Sequence, residues 1–371
     1  MQSFETPLTK LLNLKVPIMC AGMGGITGAD LVAAVSNAGG IGTVGAINLD
    51  PQGLREVIAD IKSQLKPGPG LNGTMPFGID LALPQVGGNA RATNHDYTNG
   101  NLNELVDIMA EEKVDLFVCA VGIPPQWAVD KLHAVGTKVM NMVGRVYHAE
   151  KALKLGVDII CAQGTEAGAH TGDVSTLVLT PQVADVCKKA GVVCVAAGGI
   201  YDGRGVAASL VLGAHGVWVG TRFLATPEAN VTPYYKQQML ESTSNDTRRI
   251  EIYTGRPLRV KKDAFNEDWA NRREELDKLL AKGIVVAEKS VKDKSGAPYE
   301  ARLRMRAALG DKKVRTGSWQ DIRSVQDPKA DFNVAFGQAA GAIHEIKPAA
   351  EIVEELMNGL MNSFKQVQSH M

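Results

Sequence analysis

The chain lacks paired cysteines, an excess of charge of either sign, and any long apolar run. Its 371 residues include five cysteines, Cys20, Cys119, Cys161, Cys187 and Cys194, none at CxxC spacing. An odd count without such pairs argues against a disulfide framework. It reads instead as small buried hydrophobes in a reducing compartment. No His/Cys set stands at zinc-ligand spacing, so no metal site is expected. Lysine plus arginine equals aspartate plus glutamate, at 40 each. That balance offers no basic field to draw nucleic acid or an anionic membrane. No apolar stretch nears the roughly 20 residues that cross a bilayer. The opening "MQSFETPLTKLLNLKVPIM" has no basic segment leading into a long apolar one, so no secretory leader is expected. These absences point to a cytoplasmic protein without nucleic-acid or membrane partners. Oligomeric state stays open, with a homodimer among the options.

What is present is a repeating alternation. Apolar residues make up 45 % of the chain, enough for a sizeable core. Eight short β-branched runs follow one another: 17–23, 41–46, 77–83, 114–120, 138–143, 158–164, 192–200 and 216–223. Most are apolar on both faces, as parallel strands buried on each side must be. Amphipathic segments such as "ADLVAAVSNAGG" and "GRGVAASLVLGA" lie between them, several ending in a helix-stopping glycine. The pattern predicts a (β/α)8 TIM barrel. After about residue 225 the sequence turns polar and charged. Residues 225–330 read as an inserted, mainly helical subdomain after strand eight, and 1–224 plus 331–371 as the barrel. The amphipathic "AAEIVEELMNGLMNSFKQV" is expected to close the barrel as its eighth helix.

The glycine-rich turns carry the chemical signal. "GIGTVG" (40–45) fits a dinucleotide-binding pattern, but a helix precedes it and the match itself reads as strand. Its glycines are expected to serve packing. The turns after strands seven and eight hold Gly198-Gly199 and Gly220-Thr221. In barrels these two turns often cradle a phosphate, through backbone N–H groups and a helix N-terminus. At the end of strand one, Ala21, Gly22 and Met23 are small or unbranched, and a flat ring system fits over such a backbone.

The stretch "CAQGTEAGAHTGD" (161–173) ends strand six and places one histidine in a glycine-rich loop. Gln163 offers a donor and an acceptor there. His170 is the catalytic candidate, with Glu166 and Asp173 read either as ring-orienting groups or as helix caps and solvated acids. The polar loop 84–100 is expected to form a lid or rim, with His95 and Tyr97 in surface roles.

Together, "PIMCAGMGG", "CAQGTEAGAHTGD", "AAGGIYDGRGVAASLVLGAHGVWVGTRFLATPEA" and "FGQAAGAIHEIKPA" resemble the nitronate monooxygenases, with "FGIDLALPQVGGNARATNHDYTNG" most similar to fungal-type members. The resemblance implies FMN held without a covalent bond, and oxidation of alkyl nitronates by O2 to carbonyl compounds and nitrite. It implies that Ala21, Gly22 and Met23 line the flavin ring and that Gln163 bonds it. Gly168 would lie against the cofactor. Gly199, Gly220 and Thr221 would hold the phosphate, with Arg222 and Phe223 completing that loop. His170 matches the family's catalytic histidine. Gln338 falls in a late motif near the cofactor, and the role of Asp80 stays open. The alternative is an NAD(P)H-dependent FMN reductase of quinones or enoyl thioesters, which shares the motif around His170.

Overall fold

The structure, a computed structural model, describes residues 3–287 and 334–370. The stretch of the expected insertion from 288 to 330 lies outside the described residues. Eight parallel strands close on one another: β1 (Ile18–Cys20), β2 (Ile41–Gly45), β3 (Phe77–Leu83), β4 (Leu116–Gly122), β5 (Lys138–Val143), β6 (Ile159–Gln163), β8 (Val193–Ala197) and β9 (Val217–Val219). Each falls inside or beside one of the runs expected from sequence. The TIM barrel is therefore present. A two-residue strand, β7 (Ala169–His170), intervenes after β6 and does not join the barrel.

Alternation along the strands sorts side chains inward and outward. Met19, Ile41, Leu116, Met140, Ile159 and Val193 fill the barrel, with Val118, Cys161, Val195 and Trp218 among them. Leu8 and Leu12, from the short α1 (Pro7–Leu12), pack against the same cluster and plug its base. Toward the opposite end the inward positions become small or polar: Ala21, Gly45, Ala120, Gln163 and Ala197. Side-chain volume at these positions thus falls along the barrel axis toward the mouth. The outward faces meet the ring of helices, and all five cysteines are buried and free.

The last helix, Ala349–Gln368, buries Ile352, Val353, Leu356, Met357 and Leu360. This one-sided pattern seats it between α8 (Gly203–Val211) and α2 (Ala29–Asn37), where an eighth barrel helix belongs. Gly203 makes the fit possible. A Cβ there would lie 2.3 Å from the backbone of Gly359. Among the described residues no helix is long and apolar enough to cross a membrane.

The insertion is not only helical. Between the helices α10 (Pro233–Leu240) and α11 (Ala264–Ala270) it carries an antiparallel pair, β10 (Thr247–Ile250) and β11 (Leu258–Lys261). β11 continues the sheet by pairing with β7, with Leu258 opposite His170. The hairpin has its own apolar base of Ile250, Ile252, Leu258, Val260 and Trp269, joined by Leu276 of α12 (Arg273–Ala281).

Candidate active site

The floor of the barrel mouth is made by the end of β1. Thr27 fixes its shape, donating from Oγ1 to the Ala21 carbonyl (2.8 Å) and accepting from the Met23 N–H (3.2 Å). Gly22 passes directly over Asp80 of β3. A Cβ on Gly22 would stand 2.5 Å from the Asp80 Cβ. Asp80 is buried, and its Oδ1 has no hydrogen-bond partner among the described residues. Burial pushes its carboxyl well above the usual carboxylate range, against the pull of one bond from the Ala120 N–H.

The far side of the mouth presents free backbone donors. Gly198 (φ 102°) and Gly199 (φ 73°) adopt left-handed backbone that favours glycine. Asp202 caps α8, accepting from the N–H groups of Arg204 (3.0 Å) and Gly205 (3.1 Å). The N–H groups of Gly199, Gly220 and Thr221 find no acceptor among the described residues. Such free donors at two adjoining turns are what an anionic group requires. The Met23 thioether approaches Gly220, so the floor and the cradle are contiguous. Arg222 and Phe223 have other duties. Arg222 is buried and donates from Nη1 to the Glu345 carbonyl at 3.2 Å. Phe223 packs with Ile200, Val206 and Val353 behind the barrel, and its N–H is taken by the Gly220 carbonyl.

A strap from residues 334–343 braces the β6 loop. The Gly337 N–H donates to Thr221 Oγ1 (2.9 Å) and the Gln338 N–H to the Glu166 carbonyl (2.9 Å). Ser244 Oγ donates to the Gln338 carbonyl (2.8 Å), and Tyr235 Oη to that of Ala335 (2.6 Å). Gly168 is the seat of this strap. A Cβ there would lie 2.7 Å from Phe336 and Gly337, so the close neighbour that requires glycine is the strap.

His170 is held between the β6 loop and the insertion. Its Nε2 meets Thr254 Oγ1 at 2.9 Å. Gln163, expected to face a cofactor, donates from Nε2 to the His170 carbonyl at 3.1 Å and so ties the loop to its own strand. Arg259 of β11 grips the same loop, donating to the Thr165 carbonyl from Nε (3.0 Å) and Nη2 (2.8 Å). Surrounding protein, and secondarily the Arg256 charge, bring the imidazole down to about 4. It is neutral through the ordinary pH range.

The two acids near it do not orient it. The Glu166 carboxylate accepts from the Thr176 N–H (3.0 Å) and Oγ1 (2.8 Å), capping α7 (Thr176–Ala190). Asp173 pairs with Arg145 at 2.6 Å on the surface. Thr254 does the work that sequence offered to the acids. Sequence reasoning passed over it, although "RRIEIYTGRPLRV" shows two short alternating runs about a turn. The loop 84–100 docks on this turn. Arg91 donates from Nη1 to the Gly255 carbonyl (3.3 Å), and Arg256 from Nε to Asn94 Oδ1 (3.2 Å). His95 and Tyr97 contact each other on that loop, with ring centroids 4.0 Å apart.

A family description, nitronate monooxygenase, matches residues 5–359. The chain belongs to the nitronate monooxygenase family. A Staphylococcus saprophyticus protein named "probable nitronate monooxygenase" is 33 % identical, over 70 % of this chain and 79 % of its own. An octahydroindene carboxyl-CoA dehydrogenase of Rhodococcus jostii is 33 % identical over 87 % of this chain and 82 % of its own. Among solved structures, FabK of Thermotoga maritima superimposes with a TM-score of 0.75 and 27 % identity, covering 100 % of both chains. Nitroalkane oxidase of Streptomyces ansochromogenes shares the fold, with a TM-score of 0.73 over 97 % of this chain at 22 % identity. These likenesses make the protein an oxidoreductase of this barrel group. The Staphylococcus saprophyticus and Rhodococcus jostii relatives are bacterial, and they give no support to a fungal-type assignment.

Proposed function

We propose that the protein is an FMN-dependent monooxygenase that oxidises alkyl nitronates, and nitroalkanes after deprotonation, to carbonyl compounds and nitrite. The observation that carries this reading is one mouth bearing both a free-amide cradle and a neutral, partner-backed imidazole. The cradle suits a phosphate, through the Gly199, Gly220 and Thr221 amides. The flat Ala21–Met23 floor suits a ring laid over it. The unpartnered Asp80 oxygen beneath suits a buried polar neighbour. When bound, the flavin supplies the electron acceptance and oxygen chemistry that no side chain here can.

The chain's own residues handle the proton and the substrate's position. In the tautomer that donates Nε2–H to the Thr254 hydroxyl, Nδ1 of His170 holds the lone pair, and it has no protein partner among the described residues. A neutral imidazole takes the α-proton of a nitroalkane there. Its lowered proton affinity disfavours the other role considered for it, a fixed cation holding the nitronate. Arg256 leaves positive charge beside the ring to meet the anion that forms.

The test is an anaerobic titration of the purified, yellow protein with propyl nitronate, and separately with NADH and NADPH. Bleaching with nitronate alone supports the proposal. Bleaching with a nicotinamide alone assigns the reductase reading, which the likeness to FabK favours. His170→Asn is expected to lose roughly 10²–10⁴-fold on neutral nitroalkanes while keeping turnover of preformed nitronates. Equal, unchanged rates on both substrates would remove His170 from the mechanism.

A further inference from the structure

We propose that Arg91 and Arg256 form a second anion site, at the rim of the mouth, for the diphosphate of a carrier molecule whose reactive end reaches His170. The two arginines come from different parts of the chain and are crossed over one another's loops. Arg91 bonds the Gly255 carbonyl and Arg256 bonds Asn94. Both acceptors are neutral. Among the described residues neither guanidinium is paired with a carboxylate, and each has most of its five donors to spare. Each guanidinium lies against the other's loop, and burial, followed by the Arg91 charge, lowers the proton affinity of Arg256, so the two like charges repel; an anion between them reverses the sign of that cost. Arginine forks match phosphate oxygens two at a time.

The site lies apart from the cradle. The cradle belongs to the ends of β8 and β9, whereas Arg91 follows β3 and Arg256 sits on the insertion. A phosphate in the one leaves the other free. Arg256 stands two residues after Thr254, whose hydroxyl meets His170. A ligand anchored by its diphosphate at the rim can therefore extend inward to the imidazole. The Tyr97–His95 ring pair, on the same loop as Arg91, adds an aromatic surface beside the charges. A coenzyme A thioester and a nicotinamide dinucleotide share this diphosphate chemistry. The relative that acts on a carboxyl-CoA shows that one such carrier is used by a similar chain. The inference does not rest on nitronate oxidation.

The test is calorimetric titration of the purified holoprotein with ADP, butyryl-CoA, NADH, NADPH and inorganic phosphate. ADP is expected to bind more weakly than one of the full carriers, and which carrier binds identifies the source. Affinity is expected to fall about tenfold or more in Arg91→Gln and again in Arg256→Gln, and to weaken with added salt. Arg256→Lys, which keeps the charge and loses the fork, is expected to lie between. Circular dichroism of each variant shows whether it has folded. No heat with any carrier, or equal binding in the double variant, overturns the proposal. Phosphate binding as tightly as every carrier overturns it too, leaving an adventitious ion only. Because the readout is binding heat, loss of nitronate turnover would sink the functional reading without touching this one.

Discussion

At the scale of single residues, the site turns on two groups held away from their usual charge state. His170 is neutral because crowding by protein, aided by Arg256, disfavours the imidazolium. An unfolded chain would hold its proton near pH 6.5, about the ordinary histidine value. The stability this group contributes is therefore whole above about pH 6.5 and is lost as pH falls toward about 4. As a base it should show the same window. The kcat/KM for a neutral nitroalkane is expected to stay level from pH 8 to below pH 6. An inflection at the ordinary histidine value would contradict this. Arg256→Met should move the fall toward neutrality. Asp80 runs the opposite way. Its carboxyl is raised by burial, so its favourable, protonated state fades as pH rises. Asp80→Asn keeps the shape without the titration. It should be more stable than the natural protein at pH 7 in urea unfolding, with the advantage shrinking toward pH 4.

At the scale of elements, the loop that carries His170 is positioned by structure that comes much later in the chain. Thr254 lies 84 residues beyond His170, and the strap at Gly337 later still. Thr254→Val removes the hydroxyl from the ring and keeps the shape. Its kcat on nitroalkanes is expected to fall by roughly 10²-fold, the scale of a misplaced catalytic group, with KM little changed. This is also where sequence reading ran short. The eight barrel strands announce themselves by β-branched runs, because both their faces are buried. β7 has two residues, and Ala169 has φ 56°, so no periodicity could mark it. Glu166 was legible as an acid near the histidine. Its actual use, capping α7, depends on where the loop folds back. Gly168 and Gln163 stood out as cofactor contacts, and in the structure their nearest neighbours are protein: a strap in one case and a carbonyl in the other.

At the scale of the whole molecule, the barrel works because its fill is graded. Large aliphatics occupy the base and middle, and alanine and glycine occupy the mouth. That gradient was readable once the strands were aligned. The ring of helices is closed only by the C-terminal helix, through the Gly203–Gly359 contact. Gly203→Ala forces a methyl group into backbone and should cost about 1–3 kcal/mol, read as a shift in the urea midpoint. An unchanged midpoint would mean that the helices part without loss.

The pairing of β7 with β11 sets a timetable as well as a geometry. During synthesis the histidine emerges with the sixth barrel strand, but the hydroxyl that backs it and the strap that braces its loop emerge after the ninth strand. A nascent chain thus carries its imidazole for a long interval with nothing to aim it. The bracing of the His170 loop is complete only when the last third of the polypeptide has been delivered.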